Sequence, residues 1–135
     1  MNITTDASIY EIEPKKVIYP HNRDDLIKSI RNLLLDKQSF TMRAGGTSIG
    51  GQAIGEGVIV DISKYLTNII DFREDKKEII VEPGVIQDDL NLYLRPYNLK
   101  FAPDTSTSNR AMIGGMIGNN SCGSYSIFYG TTRDH

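Results

Sequence analysis

Glycine gives up more backbone freedom on folding than any other residue, so a chain that concentrates glycines must have a use for them. Six of the twelve glycines here lie between Gly45 and Gly57, and five between Gly114 and Gly130. Tight turns explain an isolated glycine. Both clusters, however, also carry small hydroxyl and amide residues: Thr47, Ser48 and Gln52 in the first, Asn119, Asn120 and Ser121 in the second. That mixture points to backbone which must approach something closely and offer it hydrogen bonds.

The first cluster, RAGGTSIGGQ from Arg43 to Gln52, runs out of one predicted strand toward another. Without Cβ atoms at Gly45 and Gly46, successive N–H groups can turn inward as a concave nest for a phosphate oxygen. Thr47 and Ser48 add hydroxyl donors, and Gly51 lets the loop pass close to a ligand. A Walker A loop would need a lysine, and none stands here. A dinucleotide fingerprint would need G-x-G-x-x-G opening a helix, whereas the spacing here is GG-TSI-GG with a strand to follow.

The second cluster, PDTSTSNRAMIGGMIGNNSCGSYSIFYG from Pro103 to Gly130, is expected to be a long functional loop. Gly114 and Gly115 would let a flat aromatic ring lie against the backbone. Asn119 and Asn120 offer donors and acceptors to its polar edge. Met112, Ile113, Met116 and Ile117 give the segment an apolar side that a solvated loop lacks.

Around these clusters the elements alternate. Lys16–Tyr19 reads as a strand closed by Pro20. Asn22 is placed to cap a helix, with Asp25 three residues on and Leu26, Ile27, Ile30, Leu33 and Leu34 forming an apolar stripe. Strands are predicted at Ser39–Arg43, Gly57–Ile62, Asn68–Phe72 and Glu78–Glu82. A helix should run from Val85 to Arg95, ended by Pro96, with Ile86, Leu90 and Leu94 inward. Lys100-Phe101 is a candidate short strand. This order suits an α+β fold of two small units, 1–62 and 63–135.

Composition narrows the function classes. The 135 residues are 39% hydrophobic and 24% charged, with a net charge of −2, which suits a globular domain with no basic surface for nucleic acid. One cysteine and two distant histidines leave no zinc cluster, and no metal site is assigned. The start, MNITTDASIYE, lacks a signal peptide's basic and apolar regions. No apolar run approaches the ~20 residues of a membrane span. A cytoplasmic setting is expected, with Cys122 a buried filler.

Taken together, the motifs resemble the FAD-binding domain of the vanillyl-alcohol oxidase / p-cresol methylhydroxylase (PCMH) family, and within it the FAD-linked oxidases of D-2-hydroxy acids: D-lactate, glycolate and D-2-hydroxyglutarate dehydrogenases. The likeness runs from Asp6-Ala7-Ser8, Tyr10 and Pro14 through Pro20, Asp24, Arg43–Ser48, Gly51-Gln52 and Val81–Gly84. It continues through Pro103–Ser106 and Ile113–Gly115 to Asn119–Gly123 and Tyr129-Gly130. The DTSTSN and NNSCG stretches set it apart from the UDP-N-acetylmuramate-forming reductases of the same fold, and resemble the long members that carry an iron–sulfur-binding half outside the region matched here.

The resemblance implies a PCMH-type α+β domain of two subdomains, the second incomplete. In it, Arg43, Ala44, Gly45, Gly46, Thr47 and Ser48 would hold the FAD pyrophosphate, flanked by Gly51 and Gln52 in a loop of residues 43–52. Pro103, Asp104, Thr105, Ser106, Gly114, Gly115, Asn119, Asn120, Ser121 and Gly123 would line the flavin and ribityl chain from a loop of residues 103–130. Some relatives attach FAD through a histidine after the paired glycines; Thr47 stands there, implying non-covalent binding. The resemblance also implies hydride transfer from a 2-hydroxy acid to the flavin in a full-length parent, working in the cytoplasm or at the periphery of the inner membrane. No catalytic residue is assigned within this chain. The alternative is a folded, non-catalytic fragment that binds no FAD and forms a homo-oligomer through an unfinished sheet edge.

Overall fold

The computed structural model describes residues 2–135, which divide into two compact units, one ending at Leu66 and the other Thr67–His135. Both mix helices with sheet, and the fold is α+β.

In the first unit, strands β1 (Lys16–Ile18), β2 (Phe40–Arg43) and β3 (Val58–Asp61) form a parallel sheet in the order β1-β3-β2. The registers pair Val17 with Ile59 and Met42 with Val60. All four residues of β3 are buried, as the run of β-branched residues in a central parallel strand predicts. Helix α1 (Arg23–Leu35) links β1 to β2. Its N-cap is Asn22, whose side chain accepts from the Asp25 N–H at 2.9 Å. The Asp25 carboxylate reaches back to the N–H of His21 at 2.9 Å, one residue earlier than in a standard capping box. Leu33 packs with Val58 and Val60, and Ile18, Leu26 and Phe40 close the cluster. Leu34, predicted on the inward stripe, is 62% exposed, because burying Leu33 turns its neighbour about 100° away. Parallel neighbours β2 and β3 need a long crossover. Here that crossover is the glycine-rich segment 44–57, with no helix in it.

In the second unit, β4 (Ile69–Arg73) and β5 (Glu78–Val81) form an antiparallel hairpin with a register shift between Ile69 and Asp71. The turn carries Lys77 at φ 55°, and Arg73 pairs with Asp71 and Glu78 at the exposed end. Helix α2 (Gln87–Leu94) passes into a 3-10 turn at Arg95–Tyr97, where Pro96 interrupts the helical hydrogen bonding. Ile86 caps α2 instead of entering its buried face, while Leu90 and Leu94 join Val85, Ala111, Ile113 and Met116 in the core. Lys100-Phe101 is not a strand: the Phe101 N–H donates to Asn91 Oδ1 at 2.7 Å instead of to a neighbouring strand.

The segment predicted as one loop, 103–130, contains helix α3 (Ile113–Asn119) and the short helix α4 (Ser126–Tyr129). Three glycines inside seven residues argue against a helix by propensity, but tertiary packing outweighs them. Ile113 and Gly114 donate to Val85 O (2.9 Å) and Pro83 O (2.8 Å), and a Cβ on Gly114 would lie 2.6 Å from the Pro83 Cβ. Close approach to Pro83 thus requires glycine. Among the described residues no helix is long and apolar enough to cross a membrane, and no group of three potential metal ligands occurs.

Candidate functional site

The crossover leaves the carboxyl end of β2 and turns through Gly46 at φ 62° and Gly51 at φ 80°, both in the left-handed region glycine favours. Among the described residues, the N–H groups of Gly45, Gly46, Thr47 and Ser48 donate to no acceptor. Successive free amides that include a left-handed residue are the backbone pattern of an anion-binding nest. Buried or half-buried backbone donors normally find partners, so this run is an unfilled demand for acceptors.

Arg43 lies directly under the loop, and its side chain is buried, with the residue 3% exposed. Its guanidinium donates to three carbonyls: Ala53 O at 3.1 Å, Asn2 O at 3.2 Å and Thr5 O at 2.9 Å. No carboxylate among the described residues pairs with it. A Cβ on Gly46 would stand 2.6 Å from Arg43 Nη2, so the positive charge sits immediately against the turn. A buried cation solvated only by carbonyls favours an anion nearby.

Two sequence expectations change in detail. The Ser48 hydroxyl donates to the Asp6 carboxylate at 2.6 Å, so it is not a free donor. Gln52 folds back on its own loop, its Oε1 accepting from the Gly50 N–H at 3.1 Å. Asp6 belongs to the Asp6-Ala7-Ser8 stretch of the family likeness but has no place in the site as read from sequence, because its partners Ser48 and Ala53 lie more than 40 residues away. Burial pushes its carboxyl pKa up from the ordinary 3.8, but hydrogen bonds from Ser48, Ser8 and the Ala53 N–H outweigh that and hold it lower. A lowered folded-state pKa contributes stability that is present above the unfolded value and lost as pH falls through the folded one. The first unit should therefore show no Asp6-dependent change between pH 5 and 8. Replacing Asp6 with Asn should remove part of the stability lost in the acid limb below about pH 4, read from paired urea melts across pH.

In the second unit the predicted residues are dispersed over several elements. Pro103 is buried, and Asp104 and Ser106 flank the half-buried Thr105. Gln87, unremarked in the sequence because a glutamine opening a helix is commonplace, is buried and holds this stretch. Its Nε2 donates to the Pro103 carbonyl, and its Oε1 accepts from the Thr105 hydroxyl at 2.7 Å. Gln87→Leu leaves a buried carbonyl without a donor and should cost about 1–3 kcal/mol, measured as a lower urea midpoint.

Gly123 is pressed against Asp104, whose Cα would be 3.0 Å from an added Cβ and whose carbonyl would overlap it. The Pro103–Ser106 and Ser121–Gly123 stretches are thereby brought together. Gly114 and Gly115 lie in α3, and the space at Gly114 is taken by Pro83. Asn120 adopts the left-handed conformation that ends α3, and its Oδ1 accepts from the Arg133 N–H at 2.9 Å. Ser121 O accepts from both the N–H and the hydroxyl of Thr132. Asn119 is exposed. Cys122, expected to be a buried filler, is an exposed free thiol, because the chain around it turns tightly to bring Gly123 against Asp104.

A run of free amides over a guanidinium with no carboxylate partner among the described residues suits an anionic ligand. The family described as FAD binding domain matches residues 14–135. This chain belongs to that family. A D-2-hydroxyglutarate dehydrogenase of Escherichia coli is 42% identical over 138 residues, covering 100% of this chain and 14% of that protein. The mitochondrial D-lactate dehydrogenase [cytochrome] 1 of Saccharomyces cerevisiae is 30% identical over 129 residues, covering 93% of this chain and 22% of that protein. Glycolate oxidase subunit GlcD of Bacillus subtilis is 32% identical over 127 residues, covering 93% and 27%. This chain thus spans between 14% and 27% of the length of these relatives. Among solved structures, alkyldihydroxyacetonephosphate synthase superposes with a TM-score of 0.77 at 17% identity, over 87% of this chain and 22% of that one. That likeness shows a shared fold.

Proposed function

We propose that the Gly45–Ser48 nest binds the diphosphate of FAD. The observation that carries this is the run of four amides without an acceptor among the described residues, beside the buried Arg43, which has no carboxylate partner there. The donor set fits the group. The backbone N–H groups offer directional bonds, and the guanidinium offers charge without reaching out to solvent. Arg43 acts from beneath the loop. Gly46 and Gly51 hold the turns in which the amides converge. In the second unit, taken by itself, Pro103–Ser106 and Ser121–Gly123 are the stretches assigned to the flavin side, and they pack together where Gly123 meets Asp104. Thr47 cannot form the linkage a histidine would, so FAD is held non-covalently.

By likeness to the relatives, the parent activity is oxidation of a D-2-hydroxy acid. The flavin supplies the hydride-accepting chemistry. This chain's own residues bind and orient it, and the acid and base are left unassigned among them. The exposed free thiol of Cys122 suits a reducing, cytoplasmic setting. In a polypeptide joining this domain to a substrate domain, anaerobic addition of D-2-hydroxyglutarate, D-lactate or glycolate should bleach the oxidised flavin band with one of them. A flavin that none reduces would overturn the substrate reading and leave the diphosphate site standing.

The second unit also supports a self-association reading. β5 borders a groove of about 580 Å³ lined by Ile79, Val81, Leu99, Phe101 and Ile117. Sedimentation showing a concentration-dependent dimer without FAD affinity would favour it.

A further inference from the structure

The match to the FAD-binding family begins at residue 14, yet the loop that forms the nest is held by residues before that point. The early segment is itself ordered. Thr5 and Glu11 form an antiparallel bridge, the Ile12 N–H donates to Thr4 O at 2.8 Å, and the Thr4 hydroxyl reaches Glu11 at 3.1 Å. From it, four kinds of contact reach the loop. The Asp6 carboxylate accepts from the Ser48 hydroxyl and, at 3.5 Å, from the Ala53 N–H. The Ala7 N–H donates to Ser48 O at 3.1 Å. Asn2 O and Thr5 O accept from Arg43. Tyr10 lies against Gly51, where an added Cβ would be 3.2 Å from its Cδ2.

These contacts share a consequence. They grip the loop at Ser48, where the nest ends, and further on at Ala53, and its floor at Arg43, while none consumes the N–H groups of Gly45–Ser48. A loop with four glycines and no internal ladder would otherwise sample many shapes, and converging its amides would cost conformational entropy at each binding event.

We infer that residues 2–10 are a fastener that preorganises the phosphate loop, with Asp6 its positioning residue acting through Ser48. Asp6 never meets the ligand. Its carboxylate accepts the Ser48 hydroxyl hydrogen bond, so that hydroxyl is turned away from the nest and the backbone N–H groups of Gly45–Ser48 are left to the ligand. The fastening is independent of any ligand; its effect on affinity rests on the diphosphate reading above.

The test uses the whole chain and three variants: Asp6→Ala, Asp6→Asn and Ser48→Ala, with the double variant Asp6→Ala/Ser48→Ala. Amide hydrogen exchange is followed by NMR, and inorganic diphosphate and FAD are titrated separately. Loss of a charge-assisted hydrogen bond should speed exchange at Ala7 and Ala53 about tenfold in Asp6→Ala. The amides of β3 should keep their protection, which reports an intact fold. Asp6→Asn, which retains an acceptor, should recover part of the loss. The double variant should be no worse than Asp6→Ala alone, because both changes break one linkage. Diphosphate and FAD should weaken together, about tenfold, with no change in the affinity of riboflavin, which lacks phosphate. Unchanged exchange at Ala7 and Ala53 in Asp6→Ala, or strictly additive effects in the double variant, would overturn the fastener. If the wild-type chain takes up neither diphosphate nor FAD, the diphosphate reading fails, and the exchange data alone decide the fastener.

Discussion

Replacing Gly46 with alanine is expected to reduce FAD affinity by about a hundredfold while lowering the stability of the first unit by about 1–3 kcal/mol. Two effects combine. At φ 62° an L-residue bears left-handed strain of roughly 1–2 kcal/mol. The new methyl also meets Arg43 Nη2 at 2.6 Å and Cζ at 3.0 Å. Guanidiniums usually yield to such pressure, but this one is tied to three backbone carbonyls from two stretches of chain. The turn must therefore move, and the amides that converge through it lose their common focus. A flavin titration beside a urea melt separates the two consequences, since affinity should fall by more than the stability loss accounts for. Equal FAD affinity in a folded Gly46→Ala chain would remove the turn from the site.

Gly123→Ala should be the most damaging change in the second unit. A Cβ there would overlap the Asp104 carbonyl, and backbone cannot rotate away as a side chain can. Overpacking against fixed atoms costs about 3 kcal/mol at the upper end of what such insertions do. For a domain of this size, that is a fall in Tm of roughly 10 °C. The control is Gly118→Ala. Gly118 is exposed in α3, and an added Cβ would meet nothing within 4 Å. Alanine there gains helix propensity and should be neutral or stabilising by about 0.5–1 kcal/mol. Two glycines five residues apart are thus expected to respond in opposite directions. If Gly123→Ala melts with the wild type, the contact that joins Asp104 to the Ser121–Gly123 stretch is not formed.

Those contrasts also explain what the sequence made legible. Strand β3 and helix α1 announce themselves through local pattern, a β-branched run and a capped apolar stripe, and local pattern is what hydrophobic periodicity reports. The turn after β2 was legible for a related reason: paired glycines after a strand mark a turn, and Gly46 takes the left-handed φ of 62°. Helix α3 was not, because what stabilises it is remote. Only the fold brings Pro83 against Gly114, and no periodicity within IGGMIGN foretells that partner. Cys122 was misread as a filler for a similar reason, since the Asp104–Gly123 contact that turns it outward joins residues 19 apart in sequence. Asp6 and Gln87 escaped notice as site residues because each acts through partners distant along the chain: Ser48 and Ala53 for one, Pro103 and Thr105 for the other. The element edges shifted by a residue or two, as capping geometry decides them.

The most direct measurement is a titration of FAD into the purified 135-residue chain, following flavin fluorescence at two salt concentrations, with Gly46→Ala alongside. The diphosphate site predicts saturable binding, weakened by salt and by the substitution, with riboflavin unable to compete. No saturation at about 100 μM FAD, a concentration at which even a partial phosphate site gives measurable occupancy, from a chain whose amide spectrum shows it folded, would contradict it.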